Sequence, residues 1–249
     1  MATYKFGNSN YILPFVEQVS VGSSGRVGSA STPARAGAYA GKRYQDVRQV
    51  KIGGTLIGDT FADLQDKWST LCAAHAVMVP APLFAGRDDW FLWAVAENIN
   101  DTERGIEHIA WEIEYTCHDP YWYSLSEQAY SITNPANFSV STNGNANALP
   151  RFTITISAAP AGGSVTLTNL TTAESFTLTP TTTGQLIVDS RLETCTDAAG
   201  NDRMSVFSGR FVSLKGDPQT VFRTSFMQLT TSGGAAVSGV AIAFRDRSI

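Results

Sequence analysis

The 249-residue chain is short of charge. Only 16% of its residues are Asp, Glu, Lys or Arg, against about a quarter in ordinary globular domains. Gly, Ser, Thr and Asn take their place, a mix that favours short strands and turns over long helices. Cysteine is scarce as well: Cys72, Cys117 and Cys195 lie far apart, and no CxxC pair occurs. Such a set excludes a disulfide framework and a zinc ribbon, and leaves buried apolar thiols. No run approaches the ~20 apolar residues of a membrane span. The opening "MATYKFGNSNYILPFV" lacks the basic start and apolar core of a secretory leader, so a protein made and kept in a cytoplasm, or leaving by another route, is expected.

A basic face is missing too. The net charge is −4, with residues 1–127 holding 10 Lys and Arg against 15 Asp and Glu, and residues 128–249 holding 8 against 7. An acidic half and a near-neutral half do not suit a nucleic-acid-binding module.

What is present divides in two. In the first half "VRQVKI" alternates as a strand does, and "GGTLIGD" is expected to break it. One clear helix follows in "DTFADLQDKWSTLCAAHA", where Phe61, Leu64, Trp68, Leu71 and Cys72 make one apolar stripe. Thr60 with Asp63 resembles a capping box. "DDWFLWAVAEN" is apolar on both strand faces, which predicts a strand inside a packed structure. In "IAWEIEYTC" Trp111, Ile113, Tyr115 and Cys117 point one way and Glu112, Glu114 and Thr116 the other. The polar "ENINDTERGIEH" between these two predicts a hairpin loop. The second half, after "DPYWYSLSEQ", offers seven short strands, Phe152–Ile156, Val165–Leu167, Phe176–Leu178, Leu186–Val188, Met204–Phe207, Val221–Leu229 and Val237–Phe244. Turn formers separate them, the pattern of an antiparallel β-sandwich. The fold expected is mainly β with one helix. An α+β N-terminal domain, residues 1–127, holds a β-barrel or sheet plus the helix, and a C-terminal β-sandwich spans 128–249.

Residues 19–44 fit neither half. They are small and Gly-rich, free of acids between Glu17 and Asp46, and carry Arg26, Arg35, Lys42 and Arg43. They make either a surface loop or an extended arm that orders against a neighbouring subunit.

Candidate chemistry fails on spacing. Cys117-His118-Asp119 are consecutive, and neighbours on a strand point to opposite faces, so the three do not converge on a metal. Tyr130 and Phe138 offer stacking platforms for a sugar, and a carbohydrate-binding module is the rival class. Glu112 and Glu114 share a face with carboxylates ~7 Å apart, a separation open to inverting glycoside hydrolysis. A general acid needs an apolar niche, and alternation puts these two on the polar face. No catalytic site and no cofactor is expected. The Asp119-Pro120 step instead ends a strand.

"WEIEYTCHDPYWYS", closing one domain and opening into a sandwich, resembles the distal tail (Dit) proteins of long-tailed siphovirus bacteriophages. So do "VRQVKIGGTLIGDTFADLQDKWSTL", "NGNANALPRFTITI" and "GQLIVDSRLETCTDAAGNDRMSVFSGRFVSLKGDPQTV", in that order. The resemblance implies a structural virion protein without enzymatic activity, assembled in the host cytoplasm and placed at the tail tip. It implies a homo-oligomeric ring, usually hexameric, joining the tail tube protein to a tail-tip hub or tail-associated protein. DNA passes transiently through the lumen, and the C-terminal domain is a galectin-like sandwich that in some members touches a host-surface saccharide. Within that frame Glu103, Glu107, Glu112 and Glu114 are candidates to face the lumen. Arg26, Arg35, Lys42 and Arg43 mark the candidate inter-subunit arm.

Overall fold

The computed structural model describes residues 4–7, 11–31, 38–76, 78–133, 135–216 and 223–249, with the backbone alone over 23–31 and 38–46. The chain divides into two compact units, Met1–Trp122 and Tyr123–Ile249. Residue 127, where composition changes, lies inside a strand.

In the first unit the strands are β1 (Tyr4–Phe6), β2 (Tyr11–Ile12), β3 (Val16–Ser31), β4 (Ala38–Ile57), β5 (Ala81–Ala85), β6 (Trp90–Arg104) and β7 (His108–Cys117), and helix α1 spans Phe61–His75. All strand pairs are antiparallel, in the order β2-β1-β5-β6-β7-β4-β3. α1 packs against β4 and β7. The helix begins where it should: the Thr60 hydroxyl accepts from the Asp63 N–H at 3.2 Å. The reciprocal bond is displaced by one residue, the Asp59 N–H donating to the Asp63 carboxylate at 3.0 Å. Leu64, Leu71 and His75 form its buried edge, and Phe61 stays 57% exposed. The helical stripe is thus one turn further along than Phe61 suggests.

Two expectations about strand ends are corrected. Gly53-Gly54 does not break a strand; β4 runs through it to Ile57. Gly54 pairs with Trp111, and a Cβ there would meet the indole at 2.8 Å and the Phe15 carbonyl at 2.5 Å. The glycine is therefore the seat of the buried Trp111, not a turn. Likewise, most of "ENINDTERGIEH" is strand. β6 continues to Arg104, β7 starts at His108, and two bulges accommodate the polar run.

The second unit holds β8 (Trp122–Thr133), β9 (Asn137–Ser141), β10 (Arg151–Ala158), β11 (Ser164–Asn169), β12 (Glu174–Leu178), β13 (Gly184–Asp189), β14 (Thr194–Asp197), β15 (Phe207–Gly209), β16 (Thr224–Ser232) and β17 (Ala236–Ser248). They form two sheets, β14-β13-β10-β17-β8 and β15-β12-β11-β16-β9. Inward residues of both sheets share one core, with Phe152 of β10 meeting Phe176 of β12 at 5.9 Å between ring centroids. Met204–Val206, expected as strand, is a 3₁₀ turn. Val221 lies outside the described residues. The fold is mainly β with a single helix among the described residues, as the sequence implies.

Candidate assembly surfaces

The first surface is the polar face of the β4-β7-β6 ladder. Cross-strand register sets Lys51 opposite Glu114, Gly53 opposite Glu112, and Asn98 and Asn100 opposite Glu114 and Glu112. Directly paired residues share a face. The bulge between Asp101 and Glu103 sets Glu103 opposite Ala110, on that same face. The Lys51 ammonium bonds the Glu114 carboxylate and lies 3.9 Å from Glu112, and the Asn98 amide donates to Glu114 at 2.8 Å. The hydrogen bond from Lys51 holds the Glu114 carboxyl below its usual range, with Asn98 adding to the effect. That is the opposite of what a general acid requires. Glu107 sits exposed in the β6-β7 turn, where its carbonyl accepts from the Gly58 N–H. The structure thus brings together Glu103, Glu112 and Glu114 and leaves Glu107 at the tip.

The second surface is a ribbon. β3 and β4 pair from Val16 opposite Gly54 to Ser31 opposite Ala38, so the segment reaching from Val19 is a two-stranded arm. β7 accompanies β4 only from Ile57 back to Arg48, which pairs with Cys117. Asp119-Pro120 then ends β7's course, and β4 continues from Val47 to Ala38 paired to β3 alone among the described strands. At 3.3–3.4 Å per residue this is a ribbon of roughly 30 Å. Arg26, Lys42 and Arg43 lie on its strands, in the stretch described by backbone alone; Arg35 lies outside the described residues.

The third is an apolar groove of about 310 Å³ on the first unit. Tyr11, Pro14, Phe15, Leu56 and Ile57 make one wall, and Asp66, Lys67 and Thr70 of α1 the other. Phe15 is 68% exposed and has φ 40°, a left-handed backbone that a bulky side chain rarely adopts. Ile12 and Ile57 beside it are 63% and 53% exposed.

"TCHDPYWYS" is resolved as structure. Cys117 is fully buried, and burial pushes its thiol up to about 12. His118 is exposed, and Asp119 accepts from the Tyr121 N–H in a tight turn. Trp122 lies beneath two guanidiniums of the first unit, Arg87 at 4.7 Å and Arg48 at 5.7 Å. In the second unit Tyr123 lies beneath Arg247 at 5.4 Å and Arg191 at 5.7 Å. No group of three metal-ligating side chains forms among the described residues.

Tyr130 and Phe138 are not free platforms. Tyr130 stacks on Phe244 at 6.0 Å with its hydroxyl on the Ser141 carbonyl, and Phe138 packs on the sandwich core. Both belong to strands with an inner face, which pattern alone could not orient. The aromatic that the β16 outer face leaves open is Phe226, 59% exposed.

One residue escaped sequence reasoning. His75 stacks on Phe6 at 4.8 Å and 8°, and its Nε2 meets the Tyr115 hydroxyl at 2.9 Å. Its spacing of four from Leu71 and eleven from Leu64 was the available signal.

No protein-family profile and no curated protein sequence matches the chain. Among solved structures, the pair of units described above is the fold of phage tail-hub and baseplate proteins. In particular, the chain has the fold of the Dit protein of phage SPP1, described as a paradigm of the hub adsorption apparatus in phages that infect Gram-positive bacteria. The TM-score is 0.77 at 17% identity, covering 99% of each chain. A chain of the phage P2 baseplate in its activated conformation with Ca gives 0.55 at 6% identity, covering 98% of this chain and 97% of that one. The same baseplate with Sr gives 0.51 at 8%, with equal coverage.

Proposed function

We propose that this protein is a structural component of a phage virion. It forms a distal tail ring that joins the tail tube to the tail-tip or baseplate complex and leaves a lumen for DNA. The observation that carries this reading is the end-to-end match of fold, which covers 99% of this chain and 99% of SPP1 Dit. The location that follows is the tail tip, after assembly in the host cytoplasm. The ring is a homo-oligomer, a hexamer on this reading, built from first-unit domains, with a tube protein on one side and a hub protein on the other. Negative-stain electron microscopy of the concentrated protein should show six-fold rings with a central hole. A protein that never forms rings, alone or on tail tubes, and is absent from virions would refute the proposal.

Glu103, Glu112 and Glu114 line that lumen on this reading. Their shared, hydrated face supports it, because carboxylates repel phosphates and let DNA slide without sticking. Rings in which all three are replaced by Lys should retain duplex DNA in a gel shift at low salt, whereas unaltered rings should not. Equal retention by both would remove the acidic face from the lumen.

A further inference from the structure

The core face of β4 ends on a charge. Val50, Ile52 and Leu56 hold the core, and alternation carries Arg48 onto that same face, opposite Cys117 of β7. Arg48 is only 4% exposed, although arginine is almost never buried so deeply unless paired. Its guanidinium lies 5.7 Å from the centroid of the Trp122 ring, and that of Arg87 lies 4.7 Å from the same centroid. Arg87 comes from the exposed turn between β5 and β6. All three side chains belong to the first unit.

The counter-charge is missing. Among the described residues no carboxylate lies within 4.0 Å of either guanidinium, and the buried Arg48 Nε–H has no acceptor. Asp88 and Asp89 follow Arg87 in its turn, where both are exposed. Asp119, closest in sequence to Trp122, accepts from the Tyr121 N–H. Cys117 sits directly opposite Arg48, but burial pushes its thiol up to about 12, so it is neutral. Burial lowers the Arg48 pKa, and the charge of Arg87 acts in the same direction. The indole face attracts a cation but brings no full negative charge. A buried charge left without its partner is strongly destabilising, which is the arrangement expected of a site that a ligand completes.

We propose that Arg48, Arg87 and Trp122 form a binding site for an oxyanion, a carboxylate or phosphate group held by the two guanidiniums. Each guanidinium presents a fork of N–H donors that matches two oxygens, and Trp122 orients both forks. Arg48 lies on the opposite face of β4 from Lys51 and its partners Glu112 and Glu114, so DNA passing over that acidic face does not reach the site. The proposal is therefore separate from the ring reading, and either can fail without the other. The group is supplied by a small phosphorylated molecule or by a polypeptide carboxylate.

The test uses the full chain, with sodium phosphate and sodium acetate as probes against sodium chloride at equal ionic strength. Titration calorimetry should show saturable binding of one probe per chain, and the melting temperature should rise with it. Arg87→Gln changes an exposed turn, so the fold should persist while binding weakens roughly tenfold, the worth of one charge-assisted hydrogen bond. Arg48→Met separates a ligand site from a packing role. It should raise the melting temperature in chloride, because an apolar chain replaces an unpaired buried charge, and it should abolish the probe's effect. Phosphate bound in preference to acetate assigns the phosphorylated molecule, and the reverse preference assigns the polypeptide carboxylate. Binding of neither probe overturns the proposal, as does equal binding by the parent and Arg87→Gln. An Arg48→Met protein that melts lower in chloride and still responds to the probe overturns it too, leaving Arg48 as packing for Trp122.

Discussion

Deleting Gly22–Gly41 is expected to abolish ring assembly altogether while the monomer still folds. The reason is where the ladder ends. β4 draws its pairing with β7 from Arg48 to Ile57, and its pairing with β3 closest to the body from Ile52 with Val19 to Gly54 with Val16. None of these residues is removed. The buried residues of the first unit's core, among them Val50, Ile52, Ile113 and Trp111, lie outside the deletion. Circular dichroism and the melting temperature should therefore stay near those of the full chain, and electron microscopy should show no rings. Rings formed by the deleted protein would mean that the ribbon is not part of the assembly contact. An unfolded product would mean that it is part of the monomer's own core.

Replacing His75 with Ala is expected to destabilise the first unit by about 3 kcal/mol, from a lost ring stack and an unpaired buried phenol. The Nδ1 of His75 lies 2.7 Å from the Leu71 carbonyl, which accepts only, so Nδ1 carries the proton. Nε2 then accepts from the Tyr115 hydroxyl at 2.9 Å. Burial pushes the imidazole's pKa down and the Tyr115 phenol's up, so both are neutral. A pKa lowered by folding means that the unfolded chain binds the proton more readily. The stability this confers is therefore complete above about pH 6.5, the unfolded value. Below that it falls, by up to ~1.4 kcal/mol per pH unit, until the folded imidazole is itself protonated. Calorimetry at pH 7 and pH 5 should show the first unit's transition dropping in the parent, with a smaller drop in His75→Ala. An equal drop in both would place the acid sensitivity elsewhere.

The acidic face behaves differently from such a buried group. Lys51, Glu112 and Glu114 are hydrated, and exposed ion pairs of this kind contribute little to folding. Their chemistry bears on what passes over that face, which is why their test is DNA retention rather than stability.

Much was legible in the residues themselves. Local rules determine a helix start at Thr60, the two faces of Trp111–Cys117, and the run of inward residues in the sandwich strands, because side-chain period and capping act within a few residues. The acidic body and basic arm were equally plain, since charge is additive along a chain. The resemblance to distal tail proteins rested on those same segments, and the fold over 99% of the chain agrees with it. Other features were decided by tertiary structure, each where a distant residue sets the outcome. Gly54 looks like a break until Trp111 lies across it. The polar end of β6 looks like a loop until β7 pairs with it. Tyr130 and Phe138 look exposed until Phe244 and the sandwich core cover them. His75 is unremarkable until β1 brings Phe6 onto its ring and β7 brings Tyr115 to its nitrogen. The Gly-rich arm is a ribbon because its strands pair in register, and it stands beyond the ladder because proline stops β7 short of it.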